Sequence, residues 1–450
     1  MGFALTILYF VTTYLGTDTV FGPLAAYRVE LIIAALVLLV SLPSVPRSFI
    51  LKTPQSLALV GLSVAVFFSI LMTGWVGGAV QAFQDFIPSP FGYFLVCVHC
   101  NSKRKLRIIV LLLLFVCFFV IVRGSLDLLH LPHDTRGLPW NFSTAYLLGQ
   151  RNAAGDWIPR LRGLGFINDP NDFAQLIVCV IPLVFVFWRP KRMGRNTLFV
   201  LLPVCVLLYG AFLTHSRGCL LALLAMAIVA GRRRIGTIPS LLLAGGLFLA
   251  ASKMNFTGGR NISVASGAGR MALWGQSIGL LKSHPVFGVG FGTLADSLGH
   301  TAHNSIMVCA AELGMFGLYF WSMFLFPSLR DTLALASPDK VSEGEPVAPA
   351  DEPLPYATQP KEGIDKAEIN RLGRLIILSF TSFLVTGFFL SRAFVITLFL
   401  LGGMTEVVYE SALQRGMIPA RLKLDRVLFY AGGFAIAMVL AVYIVAKISL

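Results

Sequence analysis

The chain has 450 residues, of which 56% are hydrophobic and 13% are charged, and its mean hydropathy is +0.78. Soluble domains are about half apolar and about a quarter charged, so this composition excludes an ordinary soluble domain and predicts a polytopic membrane protein. The formal net charge of +14 would suggest a nucleic-acid partner in a soluble protein. Here we interpret it as a topology signal, because Lys and Arg collect in cytoplasmic loops. We therefore expect a lipid bilayer as partner and no nucleic acid.

Apolar segments follow one another along the chain and predict an all-α fold with about 12–13 transmembrane helices. They cover residues 3–16, 24–43, 56–74, 78–99, 106–123, 171–188, 196–213, 218–231, 236–252, 303–327, 373–391, 393–411 and 427–446. The first segment is short, so it is open whether it spans. The fourth is broken by Asp85, Pro88 and Pro90, which predict that it is either kinked or partly interfacial.

Basic residues fall in alternate loops, which predicts the orientation of the chain. The basic loops contain Arg47 and Lys52, Lys103 to Arg107, Arg189 to Arg195, Arg232 to Arg234, and Arg415 to Arg426. These loops are expected in the cytoplasm. The loops 124–170 and 253–302 and the turn 214–218 are then expected to face outward.

The same patterns predict four parts of the chain. They are N-terminal transmembrane helices (1–123), a core with the loops 124–170 and 253–302 (124–327), an acidic linker (328–372) and C-terminal transmembrane helices (373–450). The linker is rich in Pro, Glu and Asp and poor in apolar residues. That composition predicts a disordered cytoplasmic loop.

The stretch RLRGLGFINDPNDFA places two arginines before a helix. Asn168 or Asp169 can cap the helix, and Pro170 suits its first turn. Arg160 and Arg162 precede this N-terminus, where the helix dipole favours an anion. The alternative is that these arginines only extend to the membrane interface.

The turn THSRG separates two apolar segments of membrane length. Ser216 and Gly218 supply what a tight helical turn needs, but such a turn does not need Arg217. An arginine at membrane depth must pair or face water, so we favour a functional role for Arg217.

The stretch from Gly267 to Gly317 carries most of the outward polar chemistry. Arg270 precedes an apolar stripe that predicts a helix lying on the membrane surface. The glycines of HPVFGVGFG have the wrong spacing for a phosphate-binding fingerprint and predict a flexible turn. His303 opens an apolar segment at the outer surface and is suited to proton transfer near neutral pH. Glu312 lies on the opposite face of that helix and is expected to contact another helix.

Taken together, these motifs resemble the O-antigen ligase and O-antigen polymerase family of bacterial envelope glycosyltransferases. The resemblance runs from about residue 160 to 327 and comprises RGLGFINDPNDFA, THSRG, the GR pair ahead of Trp274, HPVFGVGFGT, and AHN followed by ELGMFG. It implies a GT-C-like, multi-pass protein of the bacterial inner membrane. It also implies a large periplasmic loop before a helix with an essential histidine, and a site that faces the periplasm.

The resemblance also implies a reaction and its residues. A glycan would pass from an undecaprenyl-diphosphate carrier to an acceptor hydroxyl, with neither metal nor cofactor. His303 matches the proposed base, and Arg217 and Arg270 match diphosphate-binding arginines. Arg162 matches a third such arginine, although Arg160 could take that place.

Several functions stay open at this point. The acceptor could be the lipid A core, as in a lipopolysaccharide ligase, a like glycan chain, as in a polymerase, or a protein, as in an O-glycosylation ligase. A polysaccharide transporter or flippase would need charges within its spans and signs of a repeated half, which the sequence lacks. A scaffold for envelope assembly would not depend on His303.

Overall fold

The computed structural model describes residues 1–16, 29–46, 48–131, 144–152, 154–259, 264–337 and 366–448. The helices, numbered along the chain, are α1 (Gly2–Leu15), α2 (Val29–Ser41), α3 (Pro54–Leu71), α4 (Val76–Phe86), α5 (Pro88–His99), α6 (Lys103–Leu129), α7 (Pro170–Val184), α8 (Met193–Leu213), α9 (Arg217–Ile235), α10 (Thr237–Lys253), α11 (Val264–Ser283), α12 (Leu294–Leu298), α13 (Ser305–Ala336), α14 (Lys366–Gly387), α15 (Ile396–Leu413) and α16 (Leu424–Ile448). Helices thus dominate the described chain, as the sequence predicts.

Eight of the described helices are long and apolar enough to cross a membrane. The protein is therefore a multi-pass membrane protein. Three further apolar helices, α1, α2 and α10, are shorter. The predicted fourth segment is divided at Ile87 into α4 and α5, so it is interrupted next to Pro88, as expected.

A β-hairpin interrupts the helices in the described part of the chain and was not predicted. Strand β1 (Leu147–Arg151) pairs antiparallel with β2 (Trp157–Leu161). The side-chain oxygen of Asn152 accepts hydrogen bonds from the backbone N–H groups of Ala154 and Asp156. Because Asn readily bonds to its own backbone a few residues on, this residue closes the turn between the strands.

The described chain divides into two compact units that alternate along the sequence. The first unit comprises residues 1–40, 102–261 and 378–386. The second comprises residues 41–101, 262–377 and 387–450. In each unit, segments that are distant in sequence pack together.

The core of the first unit is built around α7. Almost every residue of this helix is buried, and α6, α8 and α9 all pack against it. Gly210 of α8 allows a close approach, since a Cβ atom there would overlap Ile121 of α6. The hairpin packs on α6, and β2 also contacts α7 and α8.

The second unit is organised around the long helix α13. Helices α3, α11, α15 and α16 pack against it, and α5 packs against α15. Aromatic rings fill much of this core, with Phe324 of α13 between Tyr93 of α5 and Phe399 of α15. The unit therefore holds α13 from several sides along its length.

The stretch between α13 and α14 is shorter at both ends than the predicted acidic linker. Helix α13 continues to Ala336, and α14 begins at Lys366. Ser328, Asp331, Thr332 and Leu335 are buried and recur at the spacing of one helix face, which explains why this stretch is helical. The prediction of disorder for residues 338–365 lies outside the described residues.

Candidate functional site

The five residues singled out from the sequence lie in two groups. Arg160, Arg162 and Arg217 belong to the first unit, and Arg270 and His303 belong to the second. Each group is held by contacts within its own unit, and each joins motifs that are separate in the sequence.

Arg160 connects three elements of the first unit. Its guanidinium group donates to the carbonyl of Thr214 at 2.8 Å, to Gln150 at 2.7 Å and to Asn171 at 3.0 Å. The residue is only 2% exposed. This arginine thus ties the hairpin and the start of α7 to the THSRG turn, which fits a positioning role better than direct contact with a substrate.

Arg162 follows the hairpin and is less buried than Arg160. Its side chain donates to the carbonyl of Thr144 at 2.8 Å, and its backbone N–H donates to Tyr146 at 2.9 Å. The residue is partly exposed. Of the two neighbouring arginines, Arg162 is the one whose exposure suits a diphosphate contact.

The THSRG turn forms the predicted helical hairpin. Helix α8 ends at Leu213, and Arg217 is the first residue of α9. Ser216 caps α9 by accepting from the N–H of Cys219 at 3.4 Å. The half-buried Arg217 therefore sits where the positive end of the helix dipole also favours an anion.

His215 is a residue of this turn to which the sequence analysis gave no role. Its backbone φ is 48°, a left-handed conformation that is uncommon outside glycine. Its Nδ1 lies 3.1 Å from the carbonyl oxygen of Phe256. A carbonyl can only accept, so Nδ1 carries the proton and the ring ties the turn to the segment after α10.

Helix α11 confirms the predicted helix near Arg270 but not its predicted place on the membrane surface. Trp274, Ile278 and Leu281 are buried, and the helix packs on α13 and α16. The apolar stripe is therefore covered by protein. Arg270 is partly exposed and lies one turn before Trp274, on the same side of the helix.

Trp274 links this helix to the histidine motif. Its indole N–H donates to the carbonyl of Ala302 at 2.9 Å, and its ring packs edge-on against Phe388 at 5.3 Å. Ala302 directly precedes His303. The GR pair ahead of Trp274 and the AHN motif are thus parts of one bonded arrangement in the second unit.

His303 lies at the start of α13, as predicted, and its side chain is exposed. Its φ of 49° is left-handed, and its backbone N–H donates to the Ser391 hydroxyl at 2.9 Å. Asn304 caps α13 by accepting from the N–H groups of Ile306 and Met307. The backbone around His303 is therefore fixed while the imidazole faces outward from the protein interior.

A second set of bonds attaches the same turn to the segment before α15. The Ser305 hydroxyl donates to the carbonyl of Leu390 at 2.8 Å and accepts from the N–H of Arg392 at 3.1 Å. This arrangement places a further arginine, partly exposed, on the segment that holds His303. Sequence reasoning missed Ser391 and Arg392, because nothing local connects them with a histidine 88 residues away.

The loop HPVFGVGFGT is bonded into a break in α13, so the prediction of a flexible turn is wrong. At Gly314 the backbone leaves the helical conformation. The N–H groups of Met315 and Phe316 then donate to Pro285 and Val286, and the N–H of Val289 donates to Ala311. Backbone groups that the helix break would leave unsatisfied are thus paired with the loop.

Glycine is required where loop and helix meet. Gly288 and Gly314 have φ values of 68° and 65°. A Cβ atom on either would overlap backbone atoms of the other segment. The carboxylate of Glu312 accepts from the N–H group of Gly292 in this loop and from that of Leu294, the first residue of α12. Glu312 thus contacts another helix, as expected, and also holds the loop.

No protein-family model matches the chain, and no curated protein matches it. In the described parts of the chain, no group of three or more His, Cys, Asp or Glu side chains is arranged to hold a metal ion. The functional assignment therefore depends on the residues of the two groups and on the resemblance of their motifs.

Proposed function

We propose that this protein is a membrane glycosyltransferase that moves a glycan from an undecaprenyl-diphosphate carrier to an acceptor hydroxyl at the outer face of a bacterial inner membrane. The acceptor class is that of a lipopolysaccharide-type ligase. Polymerisation of a like glycan and transfer to a protein are the same chemistry with a different acceptor. The site residues would be His303 as base, and Arg162, Arg217 and Arg270 as diphosphate-binding cations.

One observation carries this proposal: an exposed histidine stands on a backbone that its surroundings hold in a costly conformation. Left-handed φ values at residues other than glycine persist where neighbouring structure enforces them and are enriched at functional sites. At His303 the enforcement comes from Ser391, from the cap Asn304, and from Trp274 through Ala302. Such support fits a side chain that must meet a substrate in one orientation.

The proposed reaction uses this side chain as a base. The acceptor oxygen forms a bond to the anomeric carbon of the glycan, and the bond from that carbon to the diphosphate oxygen breaks. The leaving diphosphate keeps the electron pair, and His303 takes the hydroxyl proton. Arginine side chains suit the departing charge because their planar N–H groups match phosphate oxygens.

Transfer in liposomes tests the proposal directly. The purified protein would be supplied with an undecaprenyl-diphosphate glycan and, in separate reactions, with a lipid A core acceptor, a glycan acceptor or a protein acceptor. We expect transfer to one of these classes, and loss of transfer in His303→Ala with donor binding retained. Donor binding without transfer to any class, or equal transfer by His303→Ala, would contradict it.

The proposal also requires the His303 turn and the loop 253–302 to face outward. A topology reporter fused after Lys105, Arg192 or Arg234 is expected to respond as cytoplasmic, and one fused near Gly155 as periplasmic, because the basic loops remain inside. A reporter near Asn261 should also be periplasmic. A cytoplasmic response at Asn261 would exclude a periplasmic site.

A further inference from the structure

A buried polar cluster occupies the end of α13 opposite to His303, within the second unit. It consists of Gln55 at the start of α3, Arg330 and Asp331 of α13, Glu406 and Glu410 of α15, and Arg421 between α15 and α16. Arg421 belongs to the basic loop that the charge pattern predicts in the cytoplasm, whereas His303 is predicted on the outward side. The cluster is therefore expected on the other membrane side from His303 and has no part in the proposed transfer.

Two carboxylates in this cluster converge on one amide group. The Nε2 atom of Gln55 donates to Asp331 at 3.4 Å and to Glu406 at 2.5 Å. Gln55 and Glu406 are 0% exposed, and Asp331 is 2% exposed. Two like charges are thus brought together away from water, where their repulsion is poorly screened.

The cations around this pair do not balance its charge. Arg421 bridges Glu406 at 2.6 Å and Glu410 at 3.1 Å, while Arg330 pairs with Asp331 at 2.7 Å. Burial by itself would lower the pKa of Arg421, but the two carboxylates outweigh it and raise this pKa. Three carboxylates therefore share two guanidinium groups.

Two further elements face the cluster with groups that are not cations. Helix α5 contributes Tyr93 and Cys97, which interact electrostatically with Glu406. Tyr409 of α15 lies with its ring under Arg421 at 5.0 Å, and its hydroxyl accepts from Arg330 at 3.5 Å. One negative charge is left over, and a buried carboxylate in that position takes up a proton rather than remain charged.

A separate observation concerns the same amide. The Oε1 atom of Gln55 is buried and has no hydrogen-bond partner among the described residues. It belongs to the amide whose nitrogen already donates to both carboxylates. Half a turn of the amide would place its N–H groups where no acceptor lies, so the present orientation keeps the nitrogen at the carboxylate pair.

We propose that Gln55, Asp331 and Glu406 form a binding site for one proton, shared between the two carboxyl groups. A single proton removes the excess negative charge. Access comes from the side of Arg330, Arg421 and Glu410, whose side chains are 27%, 17% and 13% exposed. The site would respond to pH on the membrane side opposite to His303.

Infrared difference spectra of the full-length protein in lipid nanodiscs, taken between about pH 6 and about pH 9, report protonated carboxyl groups directly, since ordinary carboxyl groups are already ionised there. As the pH rises, we expect the wild-type protein to lose a band of protonated carboxyl groups. This band should shift when the water is replaced by heavy water. Asp331→Asn and Glu406→Gln should each lack one component of this band, whereas the exposed control Asp425→Asn should retain it. A wild-type protein without the band, or either cluster variant with an unchanged band, would overturn the proposal.

A second variant serves if the buried substitutions prevent folding. Glu410→Gln alters a more accessible residue and removes one of the two carboxylates that Arg421 bridges. Arg421 then neutralises Glu406 alone, so the excess negative charge that favours the proton is removed. The same component should then titrate at lower pH by about one unit, a tenfold loss of proton affinity. An unmoved midpoint in this variant would refute the charge imbalance on which the site depends.

Discussion

His215 and His303 occupy the same position in two different turns. Each directly precedes the capping residue of a helix, Ser216 for α9 and Asn304 for α13, and their φ values are 48° and 49°. Four described residues other than glycine have a positive φ, and these histidines are two of them. The shared geometry places an imidazole at the positive end of a helix dipole in both units.

The two turns differ in what holds them. At His215 the ring itself is bonded to the carbonyl of Phe256, so the side chain is part of the framework. At His303 the backbone N–H is bonded to Ser391, and the side chain is exposed. The same backbone conformation thus has different roles in the two turns. The His215 side chain joins two segments, whereas the His303 side chain is exposed at the protein surface.

Replacing His303 should have the largest effect on transfer. A lost general base typically slows a reaction by about a hundredfold or more. His303→Asn is the more specific substitution, because Asn tolerates the left-handed conformation but cannot act as this base. His303→Ala removes the base and also disfavours the backbone conformation. We expect both variants to be similarly slow in the liposome assay with donor binding intact. A wild-type rate for His303→Asn would mean that the backbone, and not the imidazole, is what matters.

The arginines near the two turns come next. Arg217→Ala and Arg270→Ala should each lower transfer by about tenfold to a hundredfold, the range for a lost charge-assisted hydrogen bond. Lysine at either position should rescue poorly, because it keeps the charge but not the planar fork. Arg233→Ala, in the basic end of α9, is a matched control that should transfer normally. Normal transfer by Arg270→Ala would remove that residue from the site.

Ser391 tests whether the bond to the His303 backbone positions the base. Ser391→Ala removes the acceptor of the His303 N–H, a bond of about 1 kcal/mol, equal to about a fivefold change in rate. We expect the loss in kcat rather than in KM, with an unchanged pH profile. Ser391→Thr keeps a hydroxyl and should restore most of the rate. Equal loss in Ala and Thr variants would indicate a packing defect instead.

The parts of this arrangement that the sequence predicts are local. Asp169 caps α7 with Pro170 after it, and the THSRG turn and the start of α13 lie where hydropathy and capping residues indicate. Such signals act over a few residues, so they can be recognised in the sequence before the fold is known.

The supports of the turns could not be predicted in this way. The Trp274 indole reaches a carbonyl 28 residues later, and Gly288 and Gly314 are constrained by each other's backbone. Read alone, each glycine indicates only a turn, and each serine only a polar residue. The structural role of these residues depends on which segments pack together, and neither residue spacing nor composition shows this.

His215 should show the smallest effect on transfer, and it separates the two turns most clearly. His215→Asn keeps a residue that tolerates the left-handed backbone but removes the ring bond to Phe256. We expect transfer within about threefold of wild type and a free energy of unfolding lower by about 1 kcal/mol, measured by thermal unfolding in detergent. His303→Asn should show the opposite pattern, with transfer lost. If His215→Asn instead abolished transfer without loss of stability, then the bonded imidazole of the first unit would be the base, and the difference drawn between the turns would be reversed.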